Sequence, residues 1–187
     1  MANPVQKVPS RQNLRNQIGL AREFGFLEFN TLDQVVVFDD FLGDVLDVEW
    51  RTADTGSGSS ADAVISAGAN GTIVMVTGTA NNGYSALSRE LNFQGQLNCV
   101  MAARIAVNDV ADVKIEVGFT DAHDDAGAVD ALATYATTAT DWVGWIFDTA
   151  DAGNATKWQA TGVDSNTEAT KIEPDLTVAA DTYETLI

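Results

Sequence analysis

The side chains best suited to chemistry in this sequence are one histidine and the acids beside it. His123 is the single histidine of the chain and lies in the run Asp121-Ala122-His123-Asp124-Asp125. Structural zinc requires three or four Cys or His ligands at fixed spacing, which this run does not supply. Clustered carboxylates can bind calcium, so Asp121, Asp124 and Asp125 are candidate ligands, although the EF-hand pattern is missing. A solvated acidic loop is the simpler interpretation, and we expect neither a metal nor a cofactor.

Catalytic machinery for hydrolysis is hard to assemble from the remaining residues. A serine or cysteine nucleophile would need His123 as its base, but the sequence has no Gly-x-Ser-x-Gly turn. The single cysteine, Cys99, lies in the apolar run 97–107 and is expected to be buried. A glycosidase needs two carboxylates across a cleft, whereas Glu116 shares its predicted strand face with Lys114. We therefore expect no enzymatic activity. If the chain were nevertheless a hydrolase, Glu116 is the acid whose replacement should abolish turnover.

The elements that would position these residues are strands. From Gln34 onward, short runs rich in Val, Ile, Thr and aromatic residues recur about every ten residues, separated by Gly, Asn, Asp and Ser. In residues 111–120 the alternation is clearest, with an apolar side chain at every second position from Val113 to Phe119. The predicted strands lie near 34–42, 45–51, 62–67, 71–79, 84–93, 97–107, 111–120, 140–149, 155–160, 167–173 and 181–187.

The connections between these runs also favour an all-β fold. Asn70-Gly71 and Asn82-Gly83 predict tight hairpin turns between successive strands. Residues 121–139 are the longest stretch without a strand pattern, and they predict a long loop, although their Ala content also allows a helical turn. The chain ends at Ile187 within an apolar-alternating run, which indicates either an edge strand or, as we favour, a truncated chain. We predict a two-sheet antiparallel sandwich (jelly-roll or concanavalin-like) over residues 33–187, after an N-terminal arm of residues 1–32.

Charge is divided unevenly between the arm and the body. The net charge is −17, yet residues 1–22 contain four basic and no acidic residues, which leaves six basic and all 27 acidic residues, net −21, in the remainder. An acidic body repels nucleic acid and anionic membranes, so neither is expected as a partner. The first twenty residues lack the apolar region of a secretory signal, which predicts folding in a cytoplasm.

A basic arm on an acidic body predicts a segment that docks on an acidic surface of a partner, or else a disordered tail without one. Guanidinium groups pair with carboxylates through two parallel hydrogen bonds, and the phenylalanines that follow would bury against the body or a neighbour. The predicted partner-binding residues are Arg11, Arg15, Arg22, Phe24, Phe26 and Phe29.

Four tryptophans could also supply a binding surface. Trp142 and Trp145 are three residues apart, so in a strand they face opposite sides, and we expect one in the core and the other outward. Trp50 and Trp158 are each followed by polar residues. An outward tryptophan could stack on a sugar or anchor a partner protein, although core packing is the commoner role.

Three features together resemble a known family. They are the N-terminal arm, the phrase FDDFLGD from Phe38 to Asp44, and the strand-rich body through VGFTDA from Val117 to Ala122. The chain resembles the concanavalin-like or jelly-roll head-decoration (cement) proteins of tailed bacteriophages. The phrase DDFLG is also similar to the opening of laminin-G-like carbohydrate-binding modules. This sequence differs from the decoration proteins in its strong negative charge and its abrupt end.

The resemblance to decoration proteins implies a β-sandwich used as a binding scaffold. It implies a virion protein, assembled in the host cytoplasm, that binds the major capsid protein partly through its arm and forms a homo-oligomer, with a trimer favoured. We therefore expect a structural protein that stabilises the outer capsid surface. The alternative is a carbohydrate-binding module of a tail fibre or of a secreted glycan-binding protein, which would present an outward tryptophan beside a concave polar face.

Overall fold

The computed structural model describes residues 39–55, 61–66, 71–79, 83–89, 98–122, 127–131 and 136–187. All regular secondary structure in these residues is β, so the predicted all-β class is confirmed for this part of the chain. From Asp40 onward, the described residues belong to one compact unit, Asp40–Ile187. None of them forms a helix of the length and hydropathy that a membrane crossing requires.

The described strands are short, between two and seven residues each. Their bounds are β1 Trp50–Thr55, β2 Ala61–Ile65, β3 Ile73–Val76, β4 Tyr84–Arg89, β5 Ala103–Ile105, β6 Lys114–Thr120, β7 Val129–Ala131, β8 Ala136–Thr137, β9 Trp142–Asp148, β10 Gln159–Asp164, β11 Thr167–Glu168 and β12 Glu184–Leu186.

These strands pair into five antiparallel sheets in a nested order. β1 pairs with β4 and encloses the β2–β3 pair, while β6 pairs with β9 and encloses the β7–β8 pair. β10 and β11 extend the β6–β9 pair into a four-stranded sheet of order β11-β10-β9-β6. β5 pairs with β12, the last strand of the described chain. The chain therefore folds back on itself in long hairpins whose inner strands form a second pair.

Of the two hairpin turns predicted among the first four strands, one agrees with the observed pairing and the other does not. β2 and β3 are antiparallel neighbours, as the Asn70-Gly71 signal predicted, and Gly71 has a φ of 50°. Asn82-Gly83 predicted a hairpin between residues 71–79 and 84–93, but this prediction is wrong because β4 pairs with β1, from Trp50↔Arg89 to Thr55↔Tyr84. A local turn signal competes here with a pairing between strands that are distant in sequence.

A buried cluster lies on each face of the four-stranded sheet. On one face, here called the hairpin face, Trp142 and Ile146 of β9 pack with Ala128 and Val129 at the start of the β7–β8 hairpin. On the opposite face, here called the ribbon face, Phe147 packs with residues that include Trp158, Val178 and Leu186, and Leu186 belongs to the two-stranded β5–β12 ribbon. A strand that is buried on both sides requires apolar residues at consecutive positions, which the sequence WVGWIFD supplies.

Several predicted boundaries shift in the structure. The predicted strand at 97–107 is reduced to β5, and the strand predicted at 45–51 begins only at Trp50. The predicted long loop at 121–139 contains β7 and β8, which are only three and two residues long and therefore too short for an alternating pattern to reveal them. The predicted strand at 155–160 is displaced, because residues 152–156 form turns and β10 begins at Gln159.

Candidate functional site

All six residues predicted to bind a partner lie outside the described residues. Arg11, Arg15, Arg22, Phe24, Phe26 and Phe29 are therefore predictions that stand on the sequence alone. The same holds for His123, Asp124 and Asp125 of the candidate calcium loop. The candidate site that can be built from structure consists of the acids, tryptophans and exposed apolar residues of the body.

Glu116 holds the β7–β8 hairpin against the sheet. Strand alternation on β6 places Glu116 on the hairpin face beside Ile146, where its two carboxylate oxygens accept hydrogen bonds from the backbone N–H groups of Ala128, at 2.6 Å, and Val129, at 3.0 Å. The Nζ of Lys114 lies 3.3 Å from the same carboxylate and donates to the carbonyl of Val129. Both oxygens of the acid that we named for a hydrolase test are thus engaged by the fold itself.

Gly127 makes this contact sterically possible. Its φ of 72° is in the left-handed region, which L residues with a side chain rarely adopt. A Cβ at this position would lie 2.9 Å from one oxygen of Glu116. Left-handed backbone followed by two inward N–H groups forms a small anion-binding concavity, and here the protein's own carboxylate fills it.

Asp121 plays a similar local role at the other end of the sheet. Its Oδ1 accepts hydrogen bonds from the backbone N–H groups of Thr140 and Asp141, each at 3.1 Å. This contact joins the end of β6 to the start of β9. Among the residues that the structure describes, no group of three or more His, Cys, Asp or Glu side chains is arranged to hold a metal ion.

A third acid, Asp151, lies at the centre of a buried polar cluster. Its Oδ2 accepts hydrogen bonds from Nε2 of Gln159 and from Nζ of Lys171, both at 3.0 Å. Gln159 is fully buried, and its Oε1 has no hydrogen-bond partner in the structure. The cluster connects the turn after β9 with β10 and with the segment that follows β11.

The environment of Asp151 keeps its carboxylate charged. Burial acts to raise the pKa of this group, but the hydrogen bonds from Gln159 and Lys171, the positive charge of Lys171 and the backbone N–H of Gly153 together outweigh it. The pKa of Asp151 is therefore lowered from its ordinary value of 3.8. A carboxylate held in this state is a structural anion and a poor general acid at neutral pH.

All four tryptophans lie within the described residues, and each is buried or half-buried. Trp142 and Trp145 do face opposite sides of β9, as predicted. The expectation that one of them points outward is wrong, because Trp145 is half-buried and packs against the cluster on the ribbon face. Its Nε1 donates a hydrogen bond to the carbonyl of Ile187, next to the β5–β12 ribbon, at 3.1 Å. Trp158 is fully buried and donates to Glu184.

Trp50 is held between two neighbours. The ring of Phe41 lies 5.5 Å from it, and the guanidinium of Arg89 lies 5.2 Å from its centroid. The carbohydrate-binding alternative required an outward tryptophan, so it gains no support from these positions. Cys99 also differs from its prediction, since it is half-buried rather than part of the core.

Exposed apolar side chains are concentrated in the first half of the described chain. On the irregular segment before β1, Leu42, Val45 and Val48 are exposed, and on the β2–β3 ribbon so are Val64, Val74, Met75 and Val76. The residues of β3, Ile73–Val76, are apolar at consecutive positions, a pattern typical of a strand in the middle of a sheet, but in the described residues β3 pairs only with β2. This surface was missed because strand periodicity does not reveal whether a second layer is present.

Comparison with protein-family models, with curated proteins and with solved structures finds no match to this chain. The candidate site therefore rests on chemistry alone. Among the described residues, Glu116 and Asp121 anchor backbone, the four tryptophans are buried or half-buried, and exposed apolar side chains lie before β1 and on the β2–β3 ribbon.

Proposed function

We propose that this chain is a structural virion protein of a tailed bacteriophage that binds and stabilises the outer capsid surface. The observation that carries the proposal is the division of charge. Residues 1–22 hold a net charge of +4 and the rest of the chain holds −21. A cationic arm on an anionic body favours attachment through the arm, while the body stays soluble and repels free nucleic acid.

The body suits this role as a rigid scaffold. We propose that its strands form a two-sheet sandwich of the jelly-roll kind, in which a long hairpin folds over so that strand pairs are nested within one another. The nesting of β2–β3 inside β1–β4, and of β7–β8 inside β6–β9, supports this arrangement. A scaffold with a buried cluster on each face of its largest sheet resists deformation, which a stabilising protein requires.

The arm would engage the major capsid protein through two kinds of contact. Arg11, Arg15 and Arg22 would form bidentate hydrogen bonds with surface carboxylates, which are stronger than neutral ones and fix the orientation of the arm. Phe24, Phe26 and Phe29 would then fill apolar pockets, where buried aromatic side chains dominate the binding energy. We further propose that several copies associate, with a trimer favoured.

The test is co-sedimentation of the protein with capsids of the phage that encodes it. The wild-type chain is compared with a chain lacking residues 1–32 and with a triple reversal, Arg11→Glu, Arg15→Glu and Arg22→Glu. We expect both variants to lose at least tenfold in affinity while their β circular-dichroism spectra stay intact. Binding of the wild-type chain should also weaken as salt rises, because screening reduces attraction between exposed charges.

The matched control reverses three basic residues of the body, Arg51→Glu, Arg104→Glu and Lys157→Glu, for the same change in net charge. It should bind much more tightly than the arm variant. Equal loss in the two triple variants would show that net charge alone governs binding. Undiminished binding by the chain that lacks residues 1–32 would remove the arm from the mechanism.

A further inference from the structure

The β2–β3 ribbon carries an apolar face that the described chain leaves uncovered. Val64 of β2 lies directly opposite Val74 of β3, and Val76 follows Val74 by two residues, which places it on the same face. The three side chains are 53 %, 41 % and 41 % exposed. Residues opposite each other on antiparallel strands have Cβ atoms about 5 Å apart, so these valines form one continuous patch, here called the valine face.

The ribbon contacts β1 and β4, but within the described residues its valine face lacks a covering layer. A two-stranded hairpin is marginally stable in water unless a further strand or layer buries its apolar face. Within the described residues from Trp50 to Arg89, Ala63 is the one fully buried hydrophobic residue, whereas the described chain from Val107 onward contains two buried clusters. The first half therefore leaves exposed the kind of side chain that the second half buries.

The charge around the valine face favours a second copy of the chain as its occupant. Residues 71–79, GTIVMVTGT, contain no charged residue, and Asp62 is the one charged residue of β2, although the chain as a whole carries −17. Copies of so acidic a protein repel each other wherever their carboxylates meet. A contact made through an uncharged apolar surface avoids that repulsion. A basic partner would instead select one of the acidic surfaces.

We propose that the valine face packs against the same face of one or two further copies of this chain. A symmetric contact uses the same residues on every copy, so the patch must be complementary to itself. Branched apolar side chains without charge meet that condition around either a two-fold or a three-fold axis. The interface deepens the homo-oligomer part of the proposed function and rests on it.

The test is the mass of the full chain in solution, measured by sedimentation equilibrium across micromolar concentrations. We expect the wild-type chain to form a dimer or a trimer and Val74→Lys to weaken association at least tenfold. Val143→Lys is the matched control, because Val143 is an exposed valine on β9, outside the β2–β3 ribbon. It should leave the oligomer intact, as should the conservative Val74→Ile.

A second measurement keeps the inference testable if Val74→Lys does not fold. In a Cys99→Ser background, Val74→Cys should be linked between copies by a short bismaleimide, whereas Val143→Cys should not. Association should also strengthen with added salt, because screening reduces repulsion between acidic copies. A wild-type chain that stays monomeric, or a Val74→Lys oligomer as stable as the wild type, would overturn the inference.

These outcomes separate the interface from capsid attachment. Binding through the basic arm should weaken with salt, whereas association through the valine face should strengthen. A monomer that still binds capsids through its arm would end this inference alone. An oligomer that dissociates in Val74→Lys, yet never binds capsids, would end the attachment role and leave the interface in place.

Discussion

Individual acids in this protein act as anchors for backbone and neighbouring side chains. Glu116 accepts two N–H groups from the β7–β8 hairpin, Asp121 accepts two from the start of β9, and Asp151 binds Gln159 and Lys171. The contacts of Glu116 and Asp151 are at least partly buried, where a polar group left without a partner costs about 1–3 kcal/mol. Those of Asp121 are exposed and should contribute less.

Asp151 should make the stability of the protein depend on pH in acid. Because its pKa is lowered in the folded state, the unfolded chain takes up the proton first as the pH falls below about 4. The stabilisation is therefore fully present above that range, and it is lost as the pH falls through the folded-state pKa. Asp151→Asn should lower the free energy of unfolding at pH 7 by roughly 1–3 kcal/mol and should flatten its decline in acid.

Urea denaturation between pH 2 and pH 7 measures this effect. The matched control is Asp175→Asn, because Asp175 also lies 3.0 Å from a lysine, Lys157, but is 92 % exposed. An exposed pair in water contributes little to stability, so this variant should follow the wild-type curve. Parallel curves for the wild type and Asp151→Asn would contradict the assignment.

Glu116 should control how firmly the hairpin is held. In Glu116→Ala the N–H groups of Ala128 and Val129 lose their acceptor, so their hydrogen exchange should become faster and the protein should lose about 1–3 kcal/mol of stability. Exchange followed residue by residue by nuclear magnetic resonance measures this. Glu168→Ala, which removes an exposed acid from β11 of the same sheet, should change neither amide. Unaltered exchange at both amides in Glu116→Ala would remove the proposed anchor.

At the scale of elements, β9 organises the described body because a buried cluster meets each of its faces, through Trp142 and Ile146 on one side and Phe147 on the other. Its neighbour β6 approaches it closely where Gly118 and Gly144 lie opposite each other. A Cβ on Gly144 would lie 2.3 Å from the carbonyl oxygen of Val117, and one on Gly118 would lie 2.2 Å from that of Val143. Neither distance is compatible with a side chain, so this register requires glycine on both strands.

Gly144→Ala should therefore destabilise the sheet by about 2–4 kcal/mol, because backbone atoms must move to admit the methyl group. Thermal unfolding followed by circular dichroism measures the loss. Gly153→Ala is the control, since a Cβ there would lie 3.8 Å from Oδ1 of Asp151, at ordinary contact distance. Equal melting temperatures for the two variants would show that β6 and β9 are not so closely paired.

At the scale of the whole molecule, the sequence predicted the class of the fold better than its pairing. The alternation from Val113 to Phe119 gave the two faces of β6 correctly, since one face meets a core. It could not predict that buried clusters lie on both sides of β9, so we expected one of its two tryptophans to point outward. Local turn signals also misplaced β4, because pairing with β1 depends on contacts between distant parts of the chain.

The residues of the candidate site were also predictable from the sequence only in part. The sequence singled out Glu116 as an isolated acid beside Lys114, but its role depends on the hairpin that the loop 121–139 conceals. Asp151, Gln159 and Lys171 meet only because turns bring them together from three parts of the chain. The apolar character of the valine face was visible in the sequence. Its exposure was not, because it depends on the absence of a covering layer in the described chain.

The most direct test of the proposed function is to ask whether the chain is part of the particle. Quantitative mass spectrometry of purified virions of the encoding phage measures its ratio to the major capsid protein. An outer-surface stabilising protein should be present in a constant ratio, unchanged when the packaged genome is released. A chain that is abundant in the infected-cell lysate but missing from purified particles would contradict the account.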